Sequence, residues 1–205
     1  MASTTIELDT ELSAVNSILG SIGQSPVTKL DYNNPEISFI YNILNEVNKD
    51  IQNEGWHFNT ETHLEVQPDS TTNEIAVPSN VIRYDLHDGL VDKTMDTVIR
   101  NGKLYDLVGH SYEFKNEKYY VDAVTLIPFN DVPNAFQRYI TYKASVRAAT
   151  QLVTNTNLVT LLQQQEAAAR ATCMEYECRM ADYSFFGVPH ESGYNSFQPF
   201  KSLVR

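Results

Sequence analysis

The sequence predicts an α+β fold in which a helical portion built from both chain ends carries an inserted antiparallel β-sheet region. Three observations lead there. Apolar residues recur at helical spacing over residues 11–54 and again over 133–182. Between about His57 and Phe129 the apolar period shortens to two, with frequent turn residues. The dipeptide Asn101-Gly102 lies between two alternating segments, the strongest short signal for a two-residue hairpin. The division expected is residues 1–55 and 130–182 as a helical bundle, 56–129 as an antiparallel β barrel or sandwich, and 183–205 as an extended C-terminal strap.

The first helix is placed over Glu11–Ile22, capped by Thr10 and striped by Leu12, Val15, Ile18, Leu19 and Ile22, with Gly23 ending it. For the second, Asn34 caps, Pro35 suits the first position and Glu36 complements the positive end of the dipole. Its apolar face is Ile37, Ile40, Tyr41, Leu44, Val47 and Ile51, and it runs to Glu54 before Gly55 stops it. Candidate strands follow at His57–Thr60, His63–Val66, Glu74–Val77, Val81–Leu86, Thr97–Arg100, Lys103–Val108, Tyr112–Lys115 and Tyr119–Ile127. Helix returns at Pro133, with Phe136, Tyr139, Ile140, Lys143 and Arg147 on one side, and reaches about Val153. Asn155-Thr156-Asn157 restarts a fourth helix over Leu158–Asp182. Its inner face is expected to be Leu158, Leu161, Leu162, Gln165, Ala168, Ala169, Thr172, Cys173 and Tyr176, with Glu166 and Arg170 as an i, i+4 pair.

The chain has 205 residues, 42% of them hydrophobic, enough for one good domain or two small ones sharing an interface. Fifteen basic residues against 26 acidic ones give a formal charge of −11. Such a balance argues against gripping nucleic acid by neutralising phosphates, yet permits a surface past which DNA slides. No apolar run approaches the roughly 18 residues a membrane helix needs. The opening MASTTIELDTELS lacks the basic and apolar regions of a signal peptide, so none is expected. Cys173 and Cys178 lie five apart on one helix, about 140° around its axis, and should remain reduced thiols.

Catalytic and cofactor motifs are missing from the sequence: no nucleophile elbow, no phosphate-binding glycine loop, no Cys-x-x-Cys. No cofactor or metal is therefore expected. The five histidines, at 57, 63, 87, 110 and 190, stand singly, and His57, His63 and Glu61 are the closest grouping. A glycoside hydrolase needs only two carboxylates about 5–10 Å apart. Glu61, Glu65, Asp85, Asp88, Asp92, Asp106, Glu113, Glu117 and Asp122 keep that alternative open, as a virion-associated hydrolase of cell-wall or capsular polysaccharide.

The last stretch, Tyr183–Arg205, carries Tyr183, Phe185, Phe186, Tyr194, Phe197 and Phe200 among Gly187, Pro189, Gly193 and Pro199. The Gly/Pro spacing denies it a long helix, while a solvated tail should be poor in aromatics. It either wraps its own domain or grips a partner.

Three stretches resemble a known family. Leu12-Ser13-Ala14-Val15-Asn16-Ser17-Ile18-Leu19-Gly20-Ser21-Ile22-Gly23, with Pro26-Val27 beyond, resembles the opening helix of the tail tubular protein A family, the adaptor or gatekeeper of T7-like short-tailed bacteriophages. Gly55-Trp56-His57-Phe58-Asn59 is similar to its helix-to-sheet junction. Cys173-Met174-Glu175-Tyr176-Glu177 is similar to its last helix, after the Pro133, Phe136-Arg138-Tyr139 and Lys143-Ala144-Ser145 helix. The resemblance implies a structural virion protein without an active site. It implies a ring, commonly of twelve copies, docked beneath the portal protein, with the nozzle protein (tail tubular protein B) below and tail fibres near their junction. DNA would cross the lumen, and an acidic lumen would repel its phosphates. The resemblance also favours the partner-gripping reading of the tail, with Tyr183, Phe185, Phe186, Tyr194, Phe197 and Phe200 as portal-binding anchors. A monomeric binding module is the reading it favours least.

Overall fold

The computed structural model describes residues 10–86, 95–153 and 155–180. Among them are four α-helices: α1 (Glu11–Ser21), α2 (Pro35–Gln52), α3 (Asn134–Leu152) and α4 (Thr156–Met180). The strands are β1 (Thr60–Val66), β2 (Val81–Leu86), β3 (Thr97–Arg100), β4 (Lys103–Asp106) and β5 (Tyr119–Thr125). The fold is α+β, helices at both ends and antiparallel strands between.

Helix starts follow the capping chemistry. The Thr10 hydroxyl accepts the Ser13 amide and the Asn34 side chain accepts the Glu36 amide, with Pro35 at the first position of α2. α3 is the hub of the bundle, packing against α1, α2 and α4. Its buried side carries Phe136, Tyr139, Ile140, Ala144 and Ala148, which meet Val15, Ile18 and Leu19 of α1 and Ile40, Leu44, Val47 and Ile51 of α2 in one core. Lys143 and Arg147 were expected on the same side as these, but small alanines occupy that interior line. Arg147 turns instead to Glu46 and Asp50 of α2, 3.4 Å from each.

β5 is the central strand of a three-stranded antiparallel sheet ordered β1-β5-β2, and β3 and β4 form a separate hairpin. The two sheets share a second core of Ile75, Tyr84, Leu104, Phe114, Tyr119, Val121 and Ala123, so they pack as layers. Asn101 and Gly102, at φ 53° and 70°, make the turn with two left-handed residues that an Asn-Gly hairpin calls for. β1 begins three residues before the expected His63, and a register shift between Glu61 and Leu64 puts His63 at φ 59°.

The strand expected at His57–Thr60 is a 3-10 turn, His57–Asn59. Side chains override the alternation there, because Asn59 reaches back to accept the Trp56 amide. Glu74–Val77 and Tyr112–Lys115 are not strands. Ala76 forms one bridge to Lys103 and Ser111 one to Asp106. Phe114 is held by burial rather than by a ladder. β4 stops at Asp106 because its carboxylate accepts the Val108 amide and turns the chain. β5 ends at Thr125, since the next amide but one, that of Ile127, goes to the Gln52 side chain.

Gly55 sits at this helix-to-sheet junction with φ +77°, and a Cβ there would lie 2.9 Å from the Arg83 guanidinium. Gly55→Ala is expected to lower stability by about 1–3 kcal/mol. Gly20→Ala, on an open helix surface, should raise it by about 0.5–1 kcal/mol. Urea midpoints of the two variants against wild type check both signs.

Candidate assembly surface

The fourth helix differs most from expectation. It is 25 residues long, and only Leu162 and Cys173 are buried. Leu158, Ala169 and Tyr176 of the expected inner face are half-buried, whereas Leu161, Gln165, Ala168 and Thr172 are exposed. The physical reason is a shortage of neighbours, since among the helices its extensive packing is against α3. One neighbour covers only a narrow sector of a helix.

What fixes α4 lies near its C-terminal half. The Tyr176 ring stands edge-on to Phe136, centroids 5.9 Å apart. A Glu177 carboxylate oxygen accepts the His57 amide at 2.9 Å, tying α4 to the 3-10 turn. Arg170 forms a fork onto Glu54, at 3.2 and 3.0 Å, and donates to the Tyr139 hydroxyl at 2.8 Å, rather than pairing with Glu166. Those bonds to Glu54 and then Tyr139 raise the guanidinium pKa, so Arg170 stays protonated. Burial pushes the Cys173 thiol up to about 12, while Cys178 is exposed. A thiol reagent at pH 8 should therefore titrate one cysteine quickly in the native chain and two in denaturant. Two fast thiols in the native chain would mean that α4 readily leaves α3.

Beside this contact, α3 and α4 enclose an open groove of about 280 Å³. Ala135, Arg138 and Tyr142 line it from α3, and Gln165, Ala168 and Thr172 from α4. Alanines at 135 and 168 leave the two backbones bare, which is what makes a groove of the space. Leu162 and Cys173 of the stripe that sequence periodicity assigned to the interior are buried, whereas Gln165, Ala168 and Thr172 face a cleft instead. Exposed Phe39, on the outward side of α2, had no place in the sequence reading. Its signal was available as a lone ring on the polar side of an amphipathic helix.

Most of the described sheet carboxylates are spread over separate local contacts. Glu65 pairs with Lys118 at 2.7 Å, which holds its carboxyl below the usual range. Asp85 and Asp122 stand opposite each other in the β2–β5 register, Asp85 accepting from Thr97 and Asp122 from the His63 amide. Asp106 shapes the turn after β4, and Glu61, Glu113 and Glu117 are exposed. Asp88 and Asp92 lie outside the described residues. Among the described residues, no group of three or more His, Cys, Asp or Glu is placed to hold a metal, and no helix is long and apolar enough to cross a membrane. The six tail aromatics, Tyr183, Phe185, Phe186, Tyr194, Phe197 and Phe200, also lie outside the described residues.

No curated protein matches the chain. The family model described as Tail tubular protein does, over residues 12–183, a span that takes in α2, α3, α4, all but the first residue of α1, the described sheets and the groove. With that much of its length inside the match, the chain belongs to the tail tubular protein family and is a structural component of a bacteriophage tail.

Proposed function

We propose that the chain is the adaptor of a short-tailed phage, the A-type member of its family. Copies close into a ring, commonly of twelve, that joins the portal protein above to the nozzle protein below and helps anchor tail fibres. The observation that carries this reading is α4. A helix of 25 residues with two of them buried is a surface in search of a neighbour, as expected of a subunit rather than a finished monomer. The family membership supports a tail component and calls for no active site. Two separate cores support treating 1–55 with 130–182, and 56–129, as two parts with different neighbours, although Trp56, Phe58 and Phe129 of the second part pack in the core of the first.

The charge of −11 suits a channel that DNA crosses without sticking, provided the acidic excess faces the lumen. An assembled ring with a neutral or basic lumen would overturn that. Residues 183–205 serve as the strap onto the portal, with Tyr183, Phe185, Phe186, Tyr194, Phe197 and Phe200 as anchors in desolvated pockets. Assembly takes place in the host cytoplasm before the tail is complete.

The test mixes the purified chain with portal rings and images the product by negative stain. The full chain should add one ring of density to the portal. A chain ending at residue 182, and a full-length chain with all six aromatics changed to Ser, should keep the wild-type circular dichroism and fail to dock. If both dock normally, the strap is wrong. If the wild-type chain never docks, the adaptor assignment is wrong.

A further inference from the structure

We propose that the first part of the strap lies in the α3–α4 groove of its own chain until the portal is met, with Phe185 as the seated ring. The inference rests on the strap reading above, and it adds where that segment waits and what releases it. Three observations carry it.

The first is the character of the groove. Ala135 and Ala168 leave its walls low, and its lining includes the Tyr142 ring, 37% exposed. Its volume of about 280 Å³ is ample for an aromatic side chain, since an apolar cavity of about 150 Å³ holds a benzene. A ring placed beside Tyr142 would gain attraction beyond the area it buries.

The second is reach. α4 ends at Met180, and Thr172 and Ala168 line the groove eight and twelve residues earlier on the same helix. At 1.5 Å per residue they lie about 12 and 18 Å back along its axis. A chain that turns over one or two residues and returns extended, at about 3.3 Å per residue, passes Thr172 five or six residues after Met180. Phe185 and Phe186 stand there. Side chains alternate along an extended chain, so one face carries Tyr183 and Phe185 and the other Ser184 and Phe186. The face with two rings is the one that gains by turning to the helices. Gly187 then comes level with Ala168, and Pro189 ends the extended run.

The third is tethering. A segment joined to its groove by a few residues meets it at an effective concentration in the millimolar range. A second copy would have to be that concentrated in solution to compete, so the occupant is the chain's own strap. Seated, it keeps two rings covered while the subunit is free. The portal, offering pockets to all six aromatics, draws the strap out and leaves the groove empty.

Engineered cysteines in the full-length chain test this without removing any aromatic. With Cys178→Ser taking away the exposed thiol, Gly187→Cys combined with Ala168→Cys should oxidise to a cross-link within one chain, seen as a faster band of monomer mass on a non-reducing gel. Gly187→Cys combined with Ala167→Cys, exposed but about 100° round α4, should not. Adding Phe185→Ser to the first pair should slow its cross-link at least about tenfold, since only the tether then holds the segment near. The cross-linked chain should fail to dock on portal rings, and the reduced one should dock as wild type does. If no cross-link to Ala168 forms while the wild-type chain docks, the groove is the wrong resting place and the strap reading survives. A ladder of multimers in place of the intrachain product would put the strap on another copy and overturn the proposal. A cross-linked chain that docks as well as the reduced one would equally overturn it. If the wild-type chain never docks, the strap reading falls, and with it the release by the portal, whatever the cross-link shows.

Discussion

Asn59→Ala should destabilise the chain by about 3–5 kcal/mol, more than most single polar changes, because one side chain holds three backbone segments. Asn59 is buried. Its amide nitrogen donates to the Gln52 carbonyl at 2.9 Å and the Thr125 carbonyl at 3.1 Å, and its oxygen accepts the Trp56 amide at 2.8 Å. Removing it strands one buried donor and two buried acceptors at the end of α2, the start of the 3-10 turn and the end of β5. Next to it, Gln52 is fully buried and donates to Ile127 and Asn48 while accepting the Ile127 amide. That neighbour should hold the helix end but not the turn, so sheet and bundle are expected to lose cooperativity. Urea unfolding followed separately by far-ultraviolet dichroism and by Trp56 fluorescence reads both effects. A loss under about 1 kcal/mol with coincident transitions would show that the junction is held elsewhere.

Phe136→Ala should cost a similar amount, about 3–5 kcal/mol, for the opposite reason. Here nothing polar is left unpaired, and the damage is a hole. Phe136 is fully buried, its ring 4.8 Å from Trp56 and from Phe58 and 5.9 Å from Tyr176. Those neighbours come from the junction and from α4, none of which can collapse far without breaking its own bonds. Trp56 is fixed by donating its indole N–H to the Ile51 carbonyl at 2.8 Å, and Tyr176 lies one residue from Glu177 with its bond to His57. Because Tyr176 loses its partner, Cys173 should also become reactive toward thiol reagents faster than in wild type. Phe136→Leu, which refills most of the space, should recover more than half of the loss in thermal denaturation.

Helix positions were legible because caps and periodicity are local. Thr10, Asn34 and Pro35 announce starts that depend on atoms within one turn, and the structure uses them as written. Hairpin geometry at Asn101-Gly102 was legible for the same reason. Strand status at Glu74–Val77 and Tyr112–Lys115 was not, since an alternating segment becomes a strand only if a neighbour offers it a ladder. The fate of Leu161, Ala168 and Thr172 was hidden most deeply. Periodicity says that a face is apolar enough to be covered, and it does not say whether the cover belongs to the same chain. Likewise Arg170 could be read as a partner of Glu166 four residues away, whereas Glu54 lies 116 residues away along the chain. The Asn59 clamp joins residues from 52 to 125 and left no mark in any local pattern.

The hub position of α3 has a consequence in time. α1 and α2 are complete once residue 52 is made, but the helix that covers their apolar faces begins at residue 134. At about 5–20 residues per second, the ribosome leaves those faces waiting for about 4–16 s while the whole sheet region is synthesised. The strands can pair in that interval, and only then does α3 arrive to close the bundle. The aromatic segment at 183–205 leaves the ribosome after all four helices, so synthesis order alone keeps the proposed portal anchor from appearing before the body it must hold in place.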